Sequence, residues 1–148
     1  MLRSLCLSVS LLLFSATASA QQIAFTTPGE AKKAIDGVMA SFSAGNYDAA
    51  WKQLRVYSSF PQAEFDAFVS QFTAQAPTIV QRFGPAIGSE FIREDKAGSS
   101  LVRLTYLSRH ERSGLRWYFI LYRSPSGWTL GDFKFDSNLN AIFPGPGS

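Results

Sequence analysis

The spacing of apolar residues changes once along the chain, from a helical period to the period of two that strands show. Before Pro85, apolar residues recur three and four positions apart, which indicates amphipathic helices. The first helix is predicted to begin at Thr27, an N-cap residue, with Pro28 in its first turn. Gly45-Asn46 ends it. Its apolar face consists of Ala31, Ala34, Ile35, Val38, Met39 and Phe42.

Two further helices are predicted in the same half of the chain. The second, capped by Asn46 or Asp48, carries Ala49, Ala50, Trp51 and Leu54. The third opens near Ser59 and Pro61, and its apolar face consists of Phe65, Phe68, Val69, Phe72, Ile79, Val80 and Phe83. Pro77 lies inside this helix and is expected to kink or restart it, because proline removes a backbone donor and clashes with the preceding turn.

After Pro85, apolar and polar residues alternate, which is typical of half-buried strands. Four strands are predicted, and the short turn-rich segments between them favour antiparallel hairpins. They span Ile87–Asp95, Leu101–His110, Leu115–Arg123 and Trp128–Asp136. Three N-terminal helices followed by a four-stranded antiparallel meander predict an α+β domain in which the helices pack on one face of the sheet.

The second hairpin decides which residues face the helices. A two-residue turn at Ser113-Gly114 places Tyr106 opposite Leu121, whereas a three-residue loop would exchange the residues paired across the strands. With the shorter turn, the inner face carries Val102, Leu104, Tyr106, Trp117, Phe119 and Leu121. The outer face then carries Arg103, Thr105, Leu107, Arg109, Arg116, Tyr118, Ile120 and Tyr122.

The first twenty residues have the layout of a cleavable signal peptide. Arg3 supplies a positive start, residues 5–14 are mostly apolar, and small residues stand at 18–20. The apolar stretch is shorter than the roughly 20 residues that a spanning helix needs. We therefore predict cleavage after Ala20, export to the periplasm or the medium, and no membrane span in the mature chain.

The composition of the mature chain limits the partners and the chemistry that we expect of it. The 148 residues carry a formal net charge of only +3, which argues against a nucleic-acid partner. Cys6, the one cysteine, lies in the predicted signal, so the mature chain has no disulfide and no thiolate. We predict a leader over 21–27, one domain over 28–143 and a disordered tail over 144–148, with the leader loose as far as Thr26.

The order of elements resembles a known fold family. Residues 45–51 (GNYDAAW) after the first helix and residues 127–133 (GWTLGDF) in the closing strand resemble the cystatin-like cone of the nuclear-transport-factor-2-like superfamily, and more narrowly its small secreted bacterial domains of unknown function. The resemblance spans about residues 28–143 and rests on packing motifs, which carry no activity. It implies a curved, cone-like sheet and, because the outer sheet face often forms the dimer in this superfamily, a homodimer.

The motifs of several enzyme classes are absent from the sequence. It contains no nucleophile elbow, no phosphate-binding P-loop and no metalloprotease HExxH motif. With one histidine and no mature cysteine, a zinc site would need three carboxylates around that histidine. We therefore predict no metal and no cofactor.

His110 is the side chain best suited to general base catalysis. It lies in the polar run 109–112 (RHER), for which a solvated hairpin turn is the simpler interpretation. The alternative is a base at the rim of the cone, assisted by Asp132 or Tyr106. Enzymes of the resembled superfamily use Asp, His and Tyr inside the cone, but none of their motifs matches here, so no catalytic residue is assigned.

Two regions are candidate binding sites. A curved sheet closed by helices tends to leave a cavity, here lined by Trp51, Tyr57, Phe68, Phe72, Tyr106 and Trp117, although such aromatic sets more often form core. The outer face mixes Tyr, Arg and aliphatic residues, which is typical of interfaces. Its alternative explanation is that tyrosines are good strand formers on a half-wet surface. The candidate interface residues are Arg103, Leu107, Tyr118, Ile120 and Tyr122.

These observations favour an exported, non-enzymatic domain. We expect it to bind a small apolar ligand or an envelope protein and to self-associate through the outer sheet face. The alternative is a small cone-fold enzyme of isomerase, dehydratase or hydrolase type, with His110 as its general base. A purely structural accessory of an envelope complex is the third possibility.

Overall fold

A computed structural model describes residues 22–145. The predicted signal peptide and the last three residues of the predicted tail lie outside the described residues. Within the range, α1 spans Pro28–Ser43, α2 spans Tyr47–Tyr57 and α3 spans Gln62–Phe83. None of these helices is both long and apolar enough to cross a membrane.

Four strands follow the helices and form one sheet. They are β1 (Ala86–Ala97), β2 (Leu101–His110), β3 (Gly114–Ser124) and β4 (Gly127–Asp136), and a short 3-10 helix over Leu139–Ile142 comes after them. Consecutive strands pair antiparallel in the order β1-β2-β3-β4. The predicted α+β arrangement of three helices and an open, curved four-stranded sheet is confirmed.

The start of α1 follows the predicted capping pattern. The side-chain oxygen of Thr27 accepts a hydrogen bond from the backbone N–H of Glu30 at 3.2 Å, and the Glu30 carboxylate accepts one from the N–H of Thr26 at 2.9 Å. The first bond occupies a backbone donor that a helix start leaves free, and the second ties Glu30 to the residue before the cap. The face that α1 buries consists of Ala31, Ile35, Val38, Met39 and Phe42.

The helix α3 is continuous across Pro77, so the predicted restart is wrong. Proline leaves the carbonyl four residues earlier, that of Thr73, without its helical donor. Both Thr73 and Pro77 are exposed on the helix surface, where water can reach that carbonyl. An exposed position therefore tolerates the proline.

The register of the second hairpin differs from the predicted one. Tyr106 lies opposite Trp117 instead of Leu121, because the turn centres on Glu111-Arg112 and not on Ser113-Gly114. The displacement is four residues along the partner strand. Since side chains alternate with a period of two, an even displacement leaves every residue on its predicted face. The predicted inner-face residues are accordingly all buried: Val102, Leu104, Tyr106, Trp117, Phe119 and Leu121.

The predicted loose leader is attached to the domain where the structure describes it. Phe25 and Trp128 exchange two backbone hydrogen bonds of 2.8 Å, which adds Phe25 to the edge of β4. The Phe25 ring lies 4.9 Å from that of Tyr57, centroid to centroid. The N–H of Ile23 donates to the carbonyl of Val56 at 3.0 Å. The leader is held because it supplies strand pairing and apolar contact at once.

A polar contact fixes α1 against the sheet. The Tyr106 hydroxyl donates to the Asp36 carboxylate at 2.6 Å, and the Lys32 ammonium lies 2.9 Å from the same carboxylate. Lys32 also lies 4.1 Å from the centre of the Phe91 ring. Burial, and then the hydrogen bond and charge of Asp36, raise the pKa of Tyr106 above the ordinary tyrosine value, so this residue stays a donor at neutral pH.

Removing that hydroxyl should weaken the fold. Tyr106→Phe is expected to lower the free energy of unfolding by about 1–2 kcal/mol, because the charged Asp36 carboxylate then lacks the hydrogen bond that Tyr106 donates. Urea unfolding near neutral pH measures the difference. The matched control is Tyr57→Phe, because the Tyr57 hydroxyl has no hydrogen bond among residues 22–145. An equal loss in both variants would contradict the role assigned to Asp36.

Candidate functional site

His110 lies at the corner where α3 passes into β1, and it is not solvated. Its side chain is only 7% exposed, so the interpretation of residues 109–112 as a solvated turn is wrong for this residue. Nδ1 lies 2.8 Å from the carbonyl oxygen of Gly84, which can only accept, so Nδ1 carries the hydrogen. Nε2 then accepts from the Ser108 hydroxyl at 3.3 Å. Both ring nitrogens are therefore occupied by structural hydrogen bonds.

The turn between β2 and β3 also binds the C-terminal end of α3. The Arg112 guanidinium donates to the carbonyls of Gln81 at 2.6 Å and Arg82 at 3.3 Å, which are among the carbonyls that a helix end leaves free. Gly84 has a φ of +83°, and a Cβ there would lie 2.9 Å from the Glu111 side chain. We call Gly84, His110 and Arg112 the corner clamp.

The structure does not bring together the residues of the alternative, enzymatic interpretation. His110 points to the inner face of the sheet, together with Tyr106, whose hydroxyl is bonded to Asp36. Asp132 pairs with Ile120 and lies with it on the outer face, so the sheet separates Asp132 from His110. Neither proposed assistant contacts His110. Among residues 22–145 there is also no group of three His, Asp or Glu side chains that could hold a metal ion.

The six aromatic residues predicted to line a cavity do not surround one common space. Trp51, Phe68, Phe72 and Trp117 pack on one another, with ring centroids 5.1 Å apart for Trp51–Phe72 and 5.9 Å for Phe72–Trp117. Tyr57 packs on Phe25 instead, and Tyr106 lies near α1. A cavity of about 20 Å³ beside His110 and Trp117 has room for one water molecule. The interior of this part of the chain is thus filled by its own side chains.

The outer face of the sheet carries an exposed, mostly apolar patch near the turn between β1 and β2. We call Leu101, Arg103, Ile120 and Tyr122 the outer patch; Leu101 lies opposite Tyr122 across the strands, and Arg103 lies opposite Ile120. Leu101 is 40% exposed and Tyr122 is 49% exposed. A recess of about 260 Å³ adjoins Leu101, and Ile120 and Asp95 also line it. The patch therefore combines a projecting aromatic ring with an open recess.

Ion pairs hold the charged rim of the outer patch. Asp95 lies 3.0 Å from the guanidinium of Arg93 and 3.0 Å from that of Arg103. Burial acts to raise the pKa of Asp95, but hydrogen bonds and charge from Arg103 and Arg93 outweigh it and hold the pKa below its usual value. Arg103 is thus fixed beside the recess.

The C-terminal segment covers another part of the outer face. The guanidinium of Arg93 donates to the carbonyl of Ile142, and that of Arg116 donates to the carbonyl of Ala141 at 3.4 Å. A cleft of about 580 Å³ lies between this segment and the sheet. Among its lining residues are Ile92, Leu107, Leu139, Ile142 and Phe143.

The five candidate interface residues consequently lie in different environments. Arg103, Ile120 and Tyr122 belong to the outer patch, whereas Leu107 lies in the cleft beneath the C-terminal segment. Tyr118 is half-buried, with the Arg116 guanidinium 5.5 Å from its ring centre. Of the five, Leu107 is the one that lines the cleft beneath the C-terminal segment.

The chain was compared with models of protein families, with curated protein sequences and with solved structures, and none of them matches.

The Asp95 ion pairs should make part of the stability depend on pH. A carboxylate whose pKa is lowered in the folded state stabilises that state above its unfolded pKa, and the contribution is lost as the pH falls through the folded value. Asp95→Asn should lower the free energy of unfolding by less than about 1 kcal/mol near neutral pH, since the pairs are partly exposed. At a pH of about 3 the difference should shrink, because part of Asp95 is then protonated. Urea unfolding at both pH values tests this, and a constant difference would contradict it.

Proposed function

We propose that this chain is an exported, non-enzymatic binding domain of the cone type, similar to the nuclear-transport-factor-2-like superfamily, and that two copies associate through the outer patch. The observation that carries the proposal is the pairing of exposed Leu101 and Tyr122 on a sheet face, where a solvated face normally carries polar residues. Export rests on the predicted signal peptide.

The shape of the outer patch favours a second copy as its occupant. In a two-fold contact the same patch meets itself, so it must contain both a projection and a place to receive it. Tyr122 supplies a projecting ring, and the recess beside Leu101 and Ile120 supplies about 260 Å³ of space. The Tyr122 ring of each copy can enter the recess of the other. Tyrosine is also among the residues that most often anchor interfaces.

The charges of the outer face are compatible with self-contact. Asp95 pairs with both Arg93 and Arg103, which leaves one net positive charge in this cluster, and Arg116 is paired with Asp136. Two identical faces that carried many charges of one sign would repel, whereas a face on which most charges are paired repels its copy only weakly. The patch can therefore meet its own copy with one net positive charge per copy at its rim.

A small apolar ligand is the second candidate for the outer face. The cleft beneath the C-terminal segment has a volume of about 580 Å³, within the range of ligand sites, and apolar side chains form most of its lining. The filled interior favours this cleft over the inside of the cone as the ligand site.

Charged substitutions in the outer patch should separate the two copies. The double variant Ile120→Lys with Tyr122→Lys is expected to change a dimer into a monomer, because each copy would bury two like charges beside Arg103. Sedimentation velocity over a range of concentrations measures the mass. The matched control is Val56→Lys with Val80→Lys, two exposed apolar residues away from the outer face, which should leave the dimer intact.

Circular dichroism of both double variants checks that the fold is retained. A monomeric unsubstituted protein at all concentrations would contradict the proposal. A dimer that survives the outer-patch substitutions would also contradict it.

A further inference from the structure

A groove runs between α3 and the edge of β4, on a different surface from the outer patch. It consists of two adjoining cavities of about 430 and 350 Å³ that share Gln75 and Phe135 as lining residues. The wall on α3 includes a helical stripe with spacings of four and three residues, which consists of Phe68, Phe72, Gln75, Ile79 and Arg82. Gln71, Ala74, Thr78 and Phe83 also line the groove.

The opposite wall is the edge of a strand. Lys134, Phe135, Asp136 and Ser137 line the groove in succession. Neighbouring side chains of a strand point to opposite faces, so four consecutive residues can line one groove only along the backbone edge. The groove therefore lies between a helix and an edge strand.

This edge of β4 already accepts extended segments of the same chain. At its beginning, Trp128 exchanges two backbone hydrogen bonds with Phe25. Two residues later, the carbonyl of Leu130 accepts from the backbone N–H of Ser59 at 2.9 Å. Backbone pairing with single residues of two other segments is thus observed along the first part of the edge.

The second part of the edge has the same backbone groups available. In an antiparallel ladder, successive residues turn their backbone groups alternately toward the partner strand and away from it. Trp128 and Leu130 lie opposite Arg123 and Leu121, every second residue of β3. One extra residue then interrupts the pairing in β4. Beyond it, the next two residues in the same every-second-residue series of β3 lie opposite Phe133 and Phe135. Their backbone groups consequently point outward, and among residues 22–145 none of them has a partner on that side.

We propose that an extended peptide of another protein binds in this groove as an added strand along β4. Backbone groups of Phe133 and Phe135 pair with the peptide, and its alternate side chains enter the apolar floor formed by Phe72 and Phe135. The α3 stripe from Phe68 to Arg82 is about 21 Å long, which matches about six extended residues. This proposal does not depend on self-association through the outer patch.

The charges at the groove define the chemistry of the peptide. Lys134 lines one cavity and Arg82 lines the other, and neither forms an ion pair with an acidic residue in the described part of the chain. The remaining charge, Asp136, is paired with Arg116. The groove thus favours a peptide that alternates apolar residues and carries at least one Asp or Glu.

The test begins with random decapeptides displayed on phage and selected on the exported, full-length mature protein. The selected peptides should alternate apolar residues and contain an acidic one. A synthetic copy of the best peptide should bind at least tenfold more weakly to Gln75→Trp, because the indole fills the point where the two cavities meet. The matched control is Ala67→Trp, an exposed position on α3 that does not line the groove, and it should bind normally.

Backbone pairing has its own readout. Methylation of alternate amide nitrogens in the peptide, in the register that faces β4, should lower its affinity at least tenfold, while methylation in the other register should not. In the protein, the amide hydrogens of Phe133 and Phe135 should exchange more slowly when the peptide is bound. The outer-patch double variant should bind the peptide as well as the unsubstituted protein.

Three results would overturn the proposal. They are selection of no peptide above background, equal binding of peptides methylated in either register, and equal binding to Gln75→Trp and the unsubstituted protein. If Gln75→Trp instead separates a dimer of the unsubstituted protein, the occupant of the groove is a second copy and a foreign peptide is excluded.

Discussion

The position of α3 depends on the corner clamp, and the groove beside α3 depends on that position. Gly84 turns the chain with a φ of +83°, the His110 imidazole bonds its carbonyl, and the Arg112 guanidinium holds the last carbonyls of the helix. These contacts join the end of α3 to the β2–β3 turn at a fixed place. The helix is thereby held beside β4, with a groove between them. A residue with a Cβ at Gly84 would strain the turn and disturb this arrangement.

The aromatic interior explains why binding is assigned to surfaces. Trp117 stacks with Phe42 and with Phe135, with ring centroids 4.8 and 5.0 Å away, and the Phe72 ring lies 5.9 Å from it at a tilt. Aromatic contacts of this kind are worth more than the area that they bury, so opening the interior for a ligand would be costly. His110 supports the same conclusion, because both of its nitrogens are used to hold the corner together. These contacts give the inner face a structural role, and recognition is therefore proposed for the outer face and the β4 edge.

The elements of the fold could be predicted from the sequence because each has a local pattern. The apolar spacing from Ala31 to Phe42 and the cap at Thr27 predict α1, and alternation predicts all four strands to within two residues of their ends. The faces of β2 and β3 were predicted correctly although the turn at Glu111-Arg112 was not, since the register error was an even number of residues.

The corner clamp and the groove could not be predicted in this way. The Arg112 guanidinium binds the carbonyl of a residue 31 positions earlier, and such a contact leaves no periodic trace in the sequence. The sequence around His110 is polar, and its contact with Gly84 is also distant along the chain, so the sequence favours a solvated side chain. The groove depends on a strand edge that stays open next to a helix, which is a property of the packed structure. One local signal was present: Gly84-Pro85 before a strand indicates a tight corner that some other segment must support.

Native mass spectrometry of the mature protein, purified from a secreting host without denaturation, tests the central claim most directly. The claim is that the interior is filled and that the outer patch joins two copies. It predicts a species of twice the calculated mass of the mature chain, with nothing added. A monomer that carries an extra mass, lost on denaturation, would contradict it and would show that the domain is a carrier of a small ligand.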